Sequence, residues 1–268
     1  MRVSVTGLAK SVPCPASLNY ELYHPNGRKK VGKQKPFSAG EAQNLGKILH
    51  DLVQHVITQP VDGRQDAIEQ MVTWLNASRK QKALVPEVRE MIAHELLAGT
   101  HIDSMTQDIS TIGRTLLRAT NRLLLELEQE YGGSTGSWDV EMEKSIHDEN
   151  AYSHHFFGEL TEIRGFIDLV FSWQNVAVLV ELKTGAWTEA SDGAWKRQIG
   201  SYMHVWHQQN PDIEVRGFVV QHSFDKGFVE VVDEAHNPFT YVFEDETVEF
   251  PHDGCQHCSR RRFCSMFE

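Results

Sequence analysis

The sequence predicts an α/β fold with a central mixed β-sheet that is flanked by helices and carries a helical insertion. Two observations support this prediction. Between residues 38 and 130, apolar side chains recur every three or four positions, which is typical of helices, whereas from residue 138 they alternate, which is typical of strands. A glycine- and serine-rich run over 132–137 separates the two regions.

The first region is predicted to be helical. Residues 1–37 are expected to hold a short strand or turn, a helix over about 15–22 and a basic loop. A helix over 38–58 follows, with Ser38 as its N-cap. Three more helices are expected, at 64–76, 86–98 and 102–130. The helices between about residues 60 and 135 form the predicted insertion.

The second region is predicted to form the sheet. Strands are expected at 138–146, 163–171 and 176–182, and a short turn joins the last two. A helix over 189–209 follows and ends before Pro211. The remaining strands are expected at 213–221, 228–232 and 241–243.

Composition and charge exclude several classes of protein. Hydrophobic residues make up 40% and charged residues 24%, so the chain is neither disordered nor fibrous. No stretch approaches the roughly 20 apolar residues of a membrane-spanning helix, and the first residues lack a signal peptide's apolar core, so we expect a cytoplasmic protein with no membrane partner. A net charge of −11 predicts modest, salt-sensitive affinity for nucleic acid. Basic residues cluster at 28–35, 79–82, 196–197 and 260–262, which permits a local basic channel.

The four cysteines lie at the two ends of the sequence: Cys14, Cys255, Cys258 and Cys264. Without an export signal, a disulfide framework is not expected. Four thiolates suit either tetrahedral zinc or an iron–sulfur cluster, and the spacing does not choose between them. A metal held by all four would tie the two ends together and contribute to the free energy of folding.

The segment 165–185 places charged residues within apolar strands. Glu181 and Lys183, two positions apart, share one face of a strand, and pairing across the hairpin can bring Asp168 beside Glu181. Buried carboxylates are costly without a partner, and Mg²⁺ or Mn²⁺ would be a suitable one. Lys183 would then orient the attacking water or stabilise charge on the phosphoryl group. The alternative is a structural ion-pair network.

These motifs resemble those of the PD-(D/E)XK nuclease superfamily, and most closely its RecB-type branch. Besides Glu181-Leu182-Lys183, the branch has Gly-x-x-Asp, Gly-x-x-x-His on an upstream helix and Gln-x-x-x-Tyr on a following helix. The matching segments are Gly165-Phe166-Ile167-Asp168, Gly46-Lys47-Ile48-Leu49-His50 and Gln198-Ile199-Gly200-Ser201-Tyr202. The resemblance implies a restriction-endonuclease-like core.

The resemblance also implies roles for individual residues. The implied catalytic residues are Asp168, Glu181, Lys183, Gln198 and Tyr202. The implied ligands of Mg²⁺ or Mn²⁺ are His50, Asp168, Glu181 and the Leu182 carbonyl, with Glu141 or Glu143 as a further candidate. Gln198 and Tyr202, four residues apart on one helix face, would contact the metal site and the nucleic acid backbone. From the residues alone, His50, Gln198 and Tyr202 could instead be ordinary helix-face positions. Trp187 is a candidate for stacking on a base.

The cysteine pattern is similar to that of the iron–sulfur nucleases, which include AddB-type nuclease domains and CRISPR-associated exonucleases of spacer acquisition. This resemblance implies a [4Fe–4S] cluster held by Cys14, Cys255, Cys258 and Cys264. It further implies one iron–sulfur nuclease domain over 1–268. Its expected parts are 1–58 with the first cysteine and the metal-binding histidine, the insertion at 60–135, the nuclease core at 138–250 and the cysteine-rich tail at 251–268.

The expected function is that of a metal-dependent exonuclease on single-stranded DNA or DNA ends. The expected setting is CRISPR spacer acquisition, phage defence, or DNA recombination and repair, with a helicase or an integrase-type complex as a partner. One alternative is a DNA-end-binding adaptor subunit with weak or no cleavage. The other is a zinc-stapled DNA-binding protein without catalytic activity.

Overall fold

The computed structural model describes residues 2–5, 39–59, 61–92, 102–132, 138–148, 152–154, 158–160, 162–185 and 187–232. Several expectations fall on other residues. The helix near 15–22, the basic clusters at 28–35 and 260–262, the strand at 241–243 and all four cysteines lie outside the described residues.

Five helices are described: α1 Ala39–Ile57, α2 Val61–Gln81, α3 Pro86–Met91, α4 Ile102–Tyr131 and α5 Glu189–Gln209. Four of them are close to, or longer than, the predicted helices. The exception is α3, which was expected to reach residue 98. It ends at Met91 because Ile92 leaves the helical conformation, with φ −95° and ψ 4°.

Six strands form a mixed sheet: β1 Arg2–Ser4, β2 Asp139–Asp148, β5 Glu162–Trp173, β6 Val176–Lys183, β7 Glu214–Gln221 and β8 Phe228–Val231. A separate two-stranded sheet, which the sequence did not predict, pairs β3 Tyr152–His154 with β4 Gly158–Leu160. Strand β6 runs parallel to β7, and the crossover between them is α5. The other neighbour of β7 is the antiparallel strand β8.

Strand β5 is the longest strand of the sheet, and it has different neighbours along its two edges. On one edge, β2 pairs with it antiparallel from residue 163 to residue 172. On the other edge, residues 169–173 pair with β6 and residues 162–164 pair with β1. The β5 residues 165–168 therefore lie at the point where β6 and β1 diverge.

Helices cover both faces of the sheet. Helices α1 to α4 share one hydrophobic core with β6 side chains such as Val178 and Val180, whereas α5 packs on the other face through Ile199, Tyr202 and Met203. This arrangement confirms the predicted α/β fold with a mixed sheet between helical layers. Because α2, α3 and α4 share their core with α1 and the sheet, they are an integral layer of the described structure; their status as an insertion stays a prediction.

No helix in the described ranges is both long enough and apolar enough to cross a membrane.

Candidate active site

Asp168 lies where β5 and β6 separate. The backbone pairing between these strands ends at the pair Leu169–Val180, and the same register would place Asp168 opposite Glu181. Beyond this pair, hydrogen bonds that involve side chains take the place of the backbone hydrogen bonds between the two strands. The Leu182 N–H donates to Asp168 Oδ2 at 2.7 Å, and Gln54 Nε2 of α1 donates to the Asp168 carbonyl at 2.9 Å. These two bonds fix both the carboxylate and the backbone of Asp168.

The alternation of side chains along β5 changes at the same residue. Ile163 and Ile167 belong to the core under α5, whereas Leu169 and Phe171 belong to the core under α1 to α4. A regular strand would keep all four on one face, since they are an even number of residues apart. In the β2–β5 register, Glu143 falls opposite Asp168, and its φ of 46° lies in the left-handed region. Both strands are thus distorted together at a candidate catalytic residue.

Glu181 and Lys183 of β6 meet Gln198 of α5. Lys183 Nζ lies 2.5 Å from Glu181 Oε1 and donates to Gln198 Oε1 at 3.1 Å. Gln198 Nε2 donates to the same Glu181 Oε1 at 2.8 Å. Glu181 Oε1 therefore accepts two hydrogen bonds, while Glu181 Oε2 is buried and has no hydrogen-bond partner. A buried carboxylate oxygen without a hydrogen-bond partner is costly, and beside Asp168 this oxygen is available to bind a cation.

Tyr202 extends this network to β5. Its hydroxyl accepts from Gln198 Nε2 at 3.1 Å and donates to the Phe166 carbonyl at 2.7 Å. Tyr202 is only 1% exposed, which leaves its side chain little surface for the predicted contact with the nucleic acid backbone. Tyr202 instead holds the Gln198 amide in one orientation, which makes it a positioning residue.

His50 reaches the site from α1. Its Nδ1 lies 3.4 Å from Asp168 Oδ1, and the two side chains are 26% and 15% exposed. Gly46, one turn earlier, lets the helix approach the end of β6, because a Cβ at that position would lie 3.3 Å from Thr184 Oγ1. The Gly-x-x-x-His motif thus combines a close approach of the helix with a nitrogen donor beside Asp168.

Burial and like charge shift the proton affinity of the site. Desolvation, followed by the negative charge of Asp168, raises the pKa of Glu181 to about 7, against the opposing effects of Lys183 and His50. Burial lowers the pKa of His50, but the hydrogen bond and negative charge of Asp168, together with Glu181, outweigh burial and leave the pKa raised. Without a cation the site therefore tends to retain protons near neutral pH.

The donor set suits a hard divalent cation. Asp168 and Glu181 offer carboxylate oxygens, His50 offers an imidazole nitrogen, and Glu181 Oε2 lacks a partner. Within the described ranges, however, no group of three or more His, Cys, Asp or Glu side chains is arranged to hold a metal ion. In the described arrangement His50 contacts Asp168 Oδ1, and Lys183 and Gln198 contact Glu181 Oε1. The chemistry of the residues fits a cation, and Glu181 Oε2 is a carboxylate oxygen left available for it.

The remaining predicted residues have different outcomes. The Leu182 backbone lies beside Asp168 through its N–H, as described above. Glu141 pairs with Lys144 on the exposed surface, at 2.6 Å. The four cysteines lie outside the described residues. Sequence reasoning missed Gln54, whose only signal was its position one helical turn after His50.

The fold and the site together define a class of protein: an α/β protein with two carboxylates and a lysine where two strands of a mixed sheet part, as in metal-dependent nucleases. A family model of the PD-(D/E)XK nuclease superfamily matches residues 2–265. The chain belongs to the PD-(D/E)XK nuclease superfamily. Searches of curated proteins and of solved structures found no match. Nucleases of this superfamily are hydrolases that use divalent metals such as Mg²⁺ or Mn²⁺, so nuclease activity is the class of function that membership implies.

Proposed function

We propose that this protein is a Mg²⁺- or Mn²⁺-dependent exonuclease that acts on single-stranded DNA or DNA ends. The observation that carries the proposal is the buried, unpartnered Oε2 of Glu181. It lies in a carboxylate group that also contacts Lys183 and Gln198, next to Asp168. Two neighbouring carboxylates with such an oxygen suit a cation site, because two negative charges are costly to bury together without a cation.

The proposed ligands of the cation are Asp168, Glu181, His50 and the Leu182 carbonyl. When bound, the cation supplies positive charge that stabilises the negative charge developing on the phosphate during hydrolysis. The Leu182 N–H and Gln54 keep Asp168 in place through the hydrogen bonds already described. Their role is to orient the carboxylate before substrate arrives.

Lys183 is the proposed catalytic residue whose side chain carries a positive charge. Its ammonium lies between Glu181 and Gln198, and its side chain is 17% exposed, so it retains access to a substrate. It orients the water that attacks phosphorus and stabilises the charge on the phosphoryl oxygens. The new bond joins the water oxygen to phosphorus, and the bond to the ester oxygen breaks. Gln198, held by Tyr202, positions Lys183.

A comparison of linear and circular substrates tests the exonuclease proposal. We expect the protein with Mn²⁺ to degrade a linear single strand and to leave a circular single strand of the same sequence intact, since an exonuclease needs an end. A linear strand labelled at one end or the other reports the direction of degradation. Equal cleavage of the circle would contradict the exonuclease proposal. Binding without cleavage of either substrate would favour the adaptor alternative.

We also propose that the chain belongs to the RecB-type branch, because its Gly-x-x-Asp, Gly-x-x-x-His and Gln-x-x-x-Tyr motifs follow the order of that branch. His50 beside Asp168, and Gln198 beside Glu181, support the functional link between these motifs. CRISPR spacer acquisition, phage defence, or recombination and repair remain the proposed settings. A helicase or integrase-type partner would add affinity for DNA, which a net charge of −11 lowers.

The proposed [4Fe–4S] cluster has its own test. Protein purified without oxygen is expected to contain four iron atoms and four acid-labile sulfides per chain, and substitution of Cys255 by serine is expected to lower both. Zinc without iron or sulfide would contradict the cluster and support the zinc-stapled alternative. Neither result bears on the carboxylate site, so the two proposals are tested separately.

A further inference from the structure

A pocket of about 830 Å³ lies between the start of α5 and the turn that joins β7 to β8. Aromatic rings and two lysines dominate its lining, and the residues that matter here are Trp187, Lys196, His222, Phe224, Lys226 and Phe228. Trp187 is 46% exposed, which is unusual for so large an apolar side chain. None of these residues takes part in the carboxylate site.

The backbone segments that line the pocket adjoin those of the carboxylate site. Lys183 and Gln221 are direct partners in the β6–β7 register, so their Cα atoms are ~4.8 Å apart and their side chains share a face of the sheet. His222 follows Gln221, and Trp187 follows Lys183 by four residues. Gln221 Nε2 donates to the Gly185 carbonyl at 2.8 Å, which ties the segment after Lys183 to the segment that lines the pocket.

Helix α5 lies between the pocket and the carboxylate site. Gln198 and Tyr202 lie on the side of α5 that faces the carboxylates, whereas Asp192 and Lys196 line the pocket. The pocket and the carboxylates therefore lie on different sides of α5, and a helix with its side chains is about 10 Å across. A polynucleotide strand covers such a distance with one or two nucleotides.

The chemistry of the pocket suits a flat aromatic group better than a phosphate. Lys196 pairs with Asp192 at 2.7 Å, so its charge is already compensated, and Lys226 lies next to Asp225 in the chain. Trp187 and Phe224 line the pocket, and aromatic rings can stack on a base of any sequence.

His222 adds a polar group with a defined proton position. Ser223 N donates to Gln221 Oε1 at 2.6 Å, which fixes the Gln221 amide so that its Nε2 faces His222 Nδ1 at 3.3 Å. Nδ1 therefore accepts, and the proton of the neutral ring is at Nε2. Burial lowers the pKa of His222, which favours this neutral form. An N–H donor at the pocket lining suits the acceptor edge of a base.

We propose that this pocket binds an unstacked nucleobase, one or two nucleotides from the phosphate held at Asp168 and Glu181, with the base stacked on Trp187. The inference rests on the proposed function and narrows its substrate class. A base inside a duplex is stacked and paired, and its extrusion costs free energy, so the pocket favours single-stranded DNA over duplex DNA.

The test measures binding without cleavage. A fluorescently labelled 12-nucleotide oligo(dT) is titrated with the protein in Ca²⁺, and a set of otherwise identical oligonucleotides carries one abasic position each. We expect the wild type to lose about tenfold or more in affinity when one or two adjacent positions are abasic. Trp187→Ala is expected to lose a similar factor on intact oligo(dT) and to show no further loss at those positions. Trp187→Phe, which keeps a ring, is expected to bind nearly as tightly as the wild type.

Any of three results would contradict the proposed nucleobase pocket: an unchanged affinity of Trp187→Ala, equal losses of affinity at every abasic position, or no measurable binding of oligo(dT). Leu125→Ala, which removes an exposed apolar side chain on α4, controls for general surface effects. The position-dependent loss without any cleavage in Mn²⁺ would support the pocket and contradict the nuclease proposal. Cleavage in Mn²⁺ without a position-dependent loss of affinity would support the nuclease proposal and contradict the pocket.

Discussion

The two oxygens of the Glu181 carboxylate have different surroundings, and this difference controls the chemistry of the residue. One oxygen accepts from Lys183 and Gln198, whereas the other is buried without a partner. Burial and the charge of Asp168 raise the pKa of Glu181 to about 7. Protons and a divalent cation therefore compete for the same carboxylate, and the cation is favoured as the pH rises.

This competition predicts how the stability of the metal-free protein depends on pH. The folded pKa of Glu181 lies above its ordinary value of 4.5, so its protonated form stabilises the fold at low pH, and this contribution is lost as the pH rises through about 7. In thermal unfolding with EDTA, the wild type is expected to lose Tm relative to Glu181→Gln between pH 5 and pH 8. Adding Mn²⁺ is expected to raise the Tm of the wild type more at pH 8 than at pH 6. Parallel pH curves for the two proteins would contradict the assignment.

At the scale of elements, the approach of α5 to β5 requires a glycine. A Cβ at Gly165 would lie 2.5 Å from Tyr202 Cε1 and 3.1 Å from Val5 Cγ2, so a larger residue must displace the tyrosine. The displaced ring is the one that holds Gln198 and bonds to the Phe166 carbonyl. The close packing of α5 on β5 therefore keeps Tyr202, and through it Gln198, in position.

We expect Gly165→Ala to lower the free energy of unfolding by about 1–3 kcal/mol and to reduce the cleavage rate of the remaining folded protein. Denaturant unfolding and cleavage assays on the same preparation measure the two effects. Gly63→Ala is the matched control, since a Cβ there meets nothing within 4 Å on a helix. It is expected to leave stability unchanged or to raise it by up to about 1 kcal/mol. Full activity in Gly165→Ala would show that the position of Tyr202 is unimportant.

The sequence predicted the type of the long elements well. Helices α1 and α4 have apolar residues at helical spacing, and strand β6 is a nearly continuous apolar run. The β3–β4 pair was missed because its three-residue strands are too short to show an alternating pattern. Among the predicted site residues, the two carboxylates, the lysine and the histidine lie together in the structure, and their catalytic roles stay a proposal. The sequence could not show that Gln54 binds the Asp168 carbonyl or that β5 changes face at Asp168, because both depend on contacts between distant segments.

At the scale of the whole molecule, Arg216 joins the helical layer to the sheet. From β7, its guanidinium reaches Glu130 of α4 and Glu230 of β8, both at 2.7 Å. It also lies 5.8 Å from the ring centroid of Tyr131 and 5.3 Å from that of Phe218. Its side chain is only 18% exposed, so these contacts are partly shielded from water.

Arg216→Ala is therefore expected to cost about 1–3 kcal/mol in the free energy of unfolding, because it removes charged hydrogen bonds and packing together. Urea unfolding measures this loss. The exposed i,i+4 pair of Arg122 with Glu126 provides the control, and Arg122→Ala is expected to cost at most about 0.5 kcal/mol. Equal effects of the two substitutions would show that Arg216 does not join the layers.

The central claim is that Lys183, beside Asp168 and Glu181, belongs to a nuclease centre, and cleavage of end-labelled single-stranded DNA in Mn²⁺ tests it most directly. Wild type, Lys183→Ala and Arg122→Ala are compared at equal folded concentration; Arg122 is an exposed cation on α4 that lies outside the site and outside the basic clusters. The account predicts cleavage by the wild type and by Arg122→Ala, and a loss of about 10²-fold or more in rate for Lys183→Ala. Cleavage by Lys183→Ala at the wild-type rate would contradict it.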